Sequence, residues 1–236
     1  MKIKDKLNLI CLPYAGGTKH SFRYLNKSIL ENVNIHSYDY PGHGNRIKES
    51  CLTDMNDIVD DIYSQIQPLL NKPYAIYGHS MGAILSYLLT RKIELNKLNL
   101  PLHVFVSGTD APSVRHKKEL RYSLPKDQFI EKLKKLGGMP DEILENEELL
   151  GFFEPILRSD FKAVETFKYS KQNPLEVPIT VMIGDGEELE EEDVLKWQDE
   201  TVHQLDVYTL KGGHFFIFDN GNEITDLISK YLAKYS

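Results

Sequence analysis

Cysteine is scarce in this chain: Cys11 sits in an apolar run and Cys51 in a polar segment, and no CxxC spacing occurs. That excludes a disulfide framework and a cysteine-based zinc site, so both are read as reduced thiols. Long hydrophobic runs are also missing. No stretch approaches the roughly 18 consecutive apolar residues of a membrane span, and the opening MKIKDKLNLICLPY lacks the apolar core and cleavage site of a signal peptide. A soluble, cytoplasmic protein is expected. Basic charge is in the minority, 28 Lys and Arg against 35 Asp and Glu, for a net charge of −7. The cations form no sustained tract with interleaved aromatics, so nucleic-acid binding lacks support. Neither an internal repeat nor a low-complexity tract is present.

What remains is ordinary globular composition, 41% hydrophobic and 27% charged over 236 residues, enough for one sizeable core. A single domain over 1–236 follows, with monomer as the default. Short apolar runs at 7–14, 33–44, 74–78, 102–108, 178–184 and 205–210 read as strands. They are apolar throughout rather than alternating, which suits a parallel sheet covered on both faces by helices. Between them, Met55, Ile58, Val59, Ile62, Ile66 and Leu70 recur at helical spacing, with Pro68 marking a last turn or kink. A second helix is predicted from about Met81 to Glu94, and a third closes the chain, with Ile224, Leu227, Ile228, Tyr231 and Leu232 on one face. The alternation of strand, loop and helix predicts an α/β fold. Residues from about 110 to 172 break the rhythm with PKDQFIEKLKKL and NEELLGFFEPILRSDFKAVETF, two helical patterns separated by GGMP. Lying between two sheet strands, this insert is predicted to form a helical lid over the carboxyl edge of the sheet.

Chemistry concentrates at YGHSMGAIL, residues 77–85. A serine hydroxyl is a weak nucleophile that must be exposed, placed beside a base and aimed at a carbonyl. In the strand, nucleophile, helix turn of G-x-S-x-G the serine takes a strained backbone, and any side chain two positions away on either side would clash, hence Gly78 and Gly82 around Ser80. The helix start leaves amides free, so the N–H of Met81 can face a developing oxyanion. A second donor is expected from PYAGG at 13–17, either Ala15 or Tyr14.

The base should follow in the order Ser, acid, His. His214 in KGGHFFIF, just past a strand and preceded by two glycines, fits that place. His79 faces away from its neighbour Ser80 and is expected behind the site, and His43 in YPGHGN reads as a surface-loop histidine, with a place bordering the pocket as the alternative. His20, His36, His103, His116 and His203 have no motif around them. The acid should follow the strand 178–184, where GDGEELEEED places both Asp185 and Glu187 in the turn, and either carboxylate can accept the imidazole N–H.

With LPYAGG, YDYPGHG, YGHSMGA, GGMPDEILENEELLGFFEPILRSDFKAVETF and GGHFFIF in this order, the chain resembles the stand-alone type II thioesterases of nonribosomal peptide and polyketide synthesis. The resemblance runs from about Leu9 to the C-terminus. The lid segments LGGMP and FFEPILRSD are far more specific than the serine motif. It implies an α/β-hydrolase fold and hydrolysis of misprimed or stalled acyl groups from the phosphopantetheine arm of acyl or peptidyl carrier proteins, with Ser80 as nucleophile and His214 as base. The family's acid is an aspartate three residues after the glycine that ends the strand; here that position is Glu187, favoured over Asp185 by position alone. No metal or organic cofactor is implied, since the pantetheine belongs to the partner. From Arg115 to Lys135 eight Lys and Arg stand against three Asp and Glu, a local charge of +5. On the lid, that basic face would steer an acidic carrier protein. Two rival readings are a general carboxylesterase for small free esters and an inactive binding module on the hydrolase fold.

Overall fold

The computed structural model describes residues 6–25, 30, 32–114 and 120–235. Among these, six strands form one sheet: β1 (Leu7–Leu12), β2 (Val33–Ser37), β3 (Tyr74–His79), β4 (Val104–Ser107), β5 (Ile179–Gly184) and β6 (Asp206–Leu210). Their order is β2-β1-β3-β4-β5-β6, and every adjacent pair is parallel. The helices are α1 (Met55–Ile66), α2 (Met81–Leu95), α3 (Lys126–Leu136), α4 (Asp141–Leu144), α5 (Glu147–Thr166), α6 (Glu191–Leu195) and α7 (Gly221–Leu232).

The pleat of the strands separates two cores. Ile10, Leu12, Ile76, Val104, Val106 and Val181 project to the face covered by α1 and α2, where Ile58, Ile62, Leu85 and Leu89 meet them. Leu9, Cys11, Ala75, Tyr77, Phe105 and Met182 project to the opposite face, against Ile224, Ile228 and Leu232 of α7. Burial of each large aliphatic side chain contributes about 1.5–3 kcal/mol, so the doubly covered sheet is a rigid platform. The parallel sheet with helices on both faces agrees with the α/β-hydrolase expectation. Cys11 is buried, which pushes its thiol well above the usual range, and Cys51 is half-buried; both are free.

Boundaries differ from the sequence reading where backbone chemistry intervenes. The α1 helix starts at an Asp54 cap whose carboxylate accepts from the Asn56 amide, and it gives way after Ile66 to a tight 3₁₀ turn, Gln67–Leu69, because Pro68 has no N–H to donate. Within the run 33–44 the β2 strand ends at Ser37, and the chain then turns through Gly42 and Gly44, both with positive φ. The lid carries one additional short helix, α4.

The insert packs around its own small core, formed by Phe129 and Leu133 of α3 with Leu150, Leu157 and Phe161 of α5. It lies over the carboxyl ends of the strands. Leu157 presses on Gly16 after β1, Asp160 bonds to the amide of Gly16, and Gly138 leaves no room for a side chain beside Phe215 after β6. This is also where the strand order reverses, since β1 lies between β2 and β3. The crevice outside such a switch point is where ligands bind in open α/β sheets.

Candidate active site

Ser80 stands at the end of β3 with φ 55° and ψ −116°, and α2 begins at the next residue. Such a backbone is strained for a residue with a side chain, and close packing holds it there. A Cβ on Gly78 would overlap the carbonyl of Gly82, and one on Gly82 would overlap the carbonyl of Leu12. The glycines therefore let the start of α2 touch the end of β1, which places the Met81 amide beside the loop of Pro13 to Gly17. In that loop the Gly17 amide donates to the Tyr14 carbonyl at 2.8 Å, closing a turn with Gly16 at φ 76° in its third position. The Gly16 amide donates to Asp160 at 2.7 Å. The Gly16 and Gly17 amides are thus occupied within the protein, and Ala15 or Tyr14 remains the expectation for the second oxyanion donor.

The register of β5 and β6 pairs Gly184 with Leu210, so the loops that follow them start side by side. His214 reaches Ser80 Oγ through Nε2 at 3.0 Å and Glu187 Oε1 through Nδ1 at 2.7 Å. The other Glu187 oxygen accepts from the Gly184 amide at 2.8 Å, which fixes the carboxylate in a 2% exposed position. Asp185 does something else. Its Oδ1 accepts from the Gly212 amide at 2.8 Å, tying the two loops together two residues before His214. Of the two carboxylates in the turn, Glu187 is the one on the imidazole. The order along the chain is Ser80, Glu187, His214, and the arrangement can deprotonate the serine, hold the resulting imidazolium and return the proton.

His79 is fully buried behind Ser80. Its Nδ1 pairs with Ser107 Oγ at 2.9 Å and its ring lies 5.1 Å from that of His214. Burial first, then the neighbouring His214, hold its pKa well below the usual range, so it is neutral and supports the His214 ring without adding charge. In front, Phe215 packs edge-on to Tyr14 at 4.9 Å and stacks with Phe218 at 5.7 Å, forming an aromatic wall under the Gly138 stretch of the lid.

His43 departs from the surface-loop expectation. It is 2% exposed, its Nε2 lies 2.8 Å from Asp160 Oδ2, and its Nδ1 lies 3.0 Å from the Pro41 carbonyl. Asp160 itself was not singled out by sequence. The available signal is one acidic residue on the apolar face of α5, between Ile156, Leu157 and Phe161.

The predicted basic face is only partly in view, since Arg115, Lys117, Lys118 and Glu119 lie outside the described residues. Arg121 is engaged by Glu165 at 2.6 Å and lies over the Phe161 ring, and the exposed Lys135 pairs with Glu188 at 2.8 Å. Lys126, Lys132 and Lys134 are exposed on α3. Among the described residues no helix is long and apolar enough to cross a membrane.

Comparison with known proteins places this geometry in a family. The thioesterase domain model matches residues 7–235. The gramicidin S biosynthesis protein GrsT of Aneurinibacillus migulanus is 35% identical over 228 residues, covering 96% of this chain and 89% of that protein. The medium-chain S-acyl fatty acid synthase thioesterase of Rattus norvegicus is 31% identical, covering 96% and 86%. Among solved structures, ClbQ of the colibactin NRPS/PKS pathway superposes with a TM-score of 0.90 at 27% identity, over 98% of both chains. A match over nearly the whole chain, in sequence and in fold, makes this protein a member of the thioesterase domain family, an enzyme that hydrolyses thioesters.

Proposed function

We propose that this chain is a stand-alone type II thioesterase that removes misprimed or stalled acyl or aminoacyl groups from the phosphopantetheine arms of carrier proteins in nonribosomal peptide or polyketide synthesis. The observation that carries the reading is the relay Ser80, His214, Glu187, joined at 3.0 and 2.7 Å on the carboxyl edge of the sheet. The similarity to the gramicidin S biosynthesis protein GrsT and to ClbQ of the colibactin NRPS/PKS pathway supports that setting.

As Ser80 Oγ attacks the thioester carbonyl, His214 Nε2 takes its proton and Glu187 stabilises the imidazolium. The amides of Met81 and Ala15 hold the oxyanion, each worth about 3 kcal/mol at such a site. Collapse breaks the C–S bond, and the imidazolium protonates the leaving pantetheine sulfur. His214 then deprotonates a water, which attacks the acyl-serine carbonyl, and the free acid departs as Ser80 recovers its proton. A thioester is already activated, so these steps need no metal or organic cofactor from this chain. An acidic carrier protein docks by the basic lid segment, residues 115–135, with the enzyme working as a cytoplasmic monomer.

Hydrolysis of acetyl-loaded carrier protein, acetyl-CoA and p-nitrophenyl acetate, each by wild type and Ser80→Ala, tests this. The carrier thioester should have the highest kcat/KM, and Ser80→Ala should abolish its turnover. Preference for the free ester would favour a carboxylesterase, and no turnover by the wild type would favour a binding module.

A further inference from the structure

The buried pair of His43 and Asp160 is not used in the steps above, yet it joins three segments that meet at the site. Asp160 Oδ2 accepts from the Gly16 amide at 2.7 Å and lies 2.8 Å from His43 Nε2. His43 Nδ1 faces the Pro41 carbonyl at 3.0 Å. Both ring nitrogens thus point at oxygens that can only accept, a carbonyl and a carboxylate. A neutral imidazole has one N–H and one lone pair, and either tautomer would turn that lone pair on an acceptor. With Asp160 ionised, only the imidazolium satisfies both contacts.

We propose that Asp160 and the protonated His43 are positioning residues that set the oxyanion loop, clamping it to the lid helix α5 so that the Ala15 amide faces the thioester oxygen. The geometry is specific to that loop. Gly16 is the third residue of the turn whose second residue is Ala15, and Leu157, one helical turn before Asp160, covers it. Removing the carboxylate frees the peptide plane next to Ala15, while removing the imidazolium leaves a buried carboxylate short of its charge partner.

The charged groups facing His43 favour the imidazolium. Asp160 comes from α5 and Asp39 from the segment after β2; Tyr40, also from that segment, packs edge-on against the ring at 5.7 Å, and Cys51 covers Gly42. Arg46, the nearby cation, is engaged by Asp61 and Glu49. Burial alone would lower the imidazole pKa, but the hydrogen bond and charge of Asp160, the Pro41 carbonyl and Asp39 together raise it. With a raised pKa, the clamp is fully formed below the ordinary imidazole range and is lost as pH rises through the folded value.

The proposal rests on the Ser80 acyl-transfer reading and not on the identity of the acyl donor, so both carrier thioester and p-nitrophenyl acetate serve as substrates. Asp160→Ala, which removes the accepting oxygen altogether, and His43→Leu should lower kcat about 10- to 100-fold with KM changed less than about threefold, because an oxyanion donor acts in the transition state. His43→Arg, which cannot deprotonate, should recover part of the kcat lost in His43→Leu and flatten the alkaline fall of the wild-type profile. Nitrogen-15 NMR of the wild type, with His43 assigned through its own backbone and side-chain correlations, should show both ring nitrogens protonated at pH 7, a readout that does not depend on any variant folding. A neutral His43 at pH 7, or Asp160→Ala with kcat within about twofold of wild type per folded molecule, would overturn the clamp while leaving acyl transfer standing. A wild type inactive on both substrates would instead overturn the acyl-transfer reading.

Discussion

Replacing Glu187 by glutamine changes one atom in the site and separates the two acids of the turn. The Glu187 carboxylate accepts twice, from His214 Nδ1 at 2.7 Å and from the Gly184 amide at 2.8 Å. A glutamine amide has one accepting oxygen. Because the Gly184 N–H is always a donor, that oxygen turns to Gly184 and the NH₂ faces His214. Nδ1 must then carry the lone pair and Nε2 the proton, the tautomer that cannot deprotonate Ser80. The corresponding change in a serine triad costs about 10⁴ in kcat, or about 5 kcal/mol of barrier. Asp185→Asn is the matched control, because its oxygen still accepts from the Gly212 amide, and it should cost less than about threefold. Steady-state kcat/KM on acetyl-loaded carrier protein, with thermal melts to establish folding, reads both. If Asp185→Asn lost about 10³ or more and Glu187→Gln stayed within about tenfold, Glu187 would not be the acid.

Three further outcomes follow from the same geometry. Gly82→Ala drives a methyl into the Leu12 carbonyl and to 2.7 Å from that of Pro13, both main chain, and should cost about 3 kcal/mol or more in urea unfolding together with activity. An unchanged unfolding midpoint would contradict the close approach. His103 is buried against Phe105 with Nε2 2.8 Å from Thr180 Oγ1; burial, aided by Lys234, lowers its pKa to about 4. Its neutral form contributes stability that is fully present above about pH 6.5 and is lost as pH falls towards 4, on the order of 3 kcal/mol. His103→Gln should flatten that acid limb, and an unaltered slope between pH 6.5 and 4 would rule out His103 as its source. Changing Lys132, Lys134 and Lys135 together to Glu should lower kcat/KM for acylated carrier protein at low salt more than for p-nitrophenyl acetate, with the difference shrinking as salt screens it. Equal effects on both substrates would count against carrier docking on this face.

The parts of the site that local chain geometry dictates were legible in the sequence. Gly78, Ser80 and Gly82 announce the elbow because the strand-to-helix turn demands them, Gly78 against the Gly82 carbonyl and Gly82 against the crossing chain at Leu12. His214 follows from its place after the last strand. The choice between Glu187 and Asp185 was not available from the turn alone, since both carboxylates sit within three residues of Gly184. It is decided by the parallel register that sets Gly184 beside Leu210, and hence by which loop atoms each acid meets. The His43 and Asp160 pair was illegible for the same reason in stronger form. Its members are 117 residues apart, and nothing in YPGHG or LRSDF alone says that a lid helix will close over that turn.

The central claim is that Ser80 carries the acyl group between a carrier thioester and water. The direct measurement is rapid-quench intact-protein mass spectrometry after mixing with acetyl-loaded carrier protein, followed by peptide mapping. An acetyl adduct should appear on the peptide containing Ser80 within the first turnover, decay as acetate forms, and be absent from Ser80→Ala. Steady release of acetate with no adduct, or an adduct on any other residue, would contradict the account.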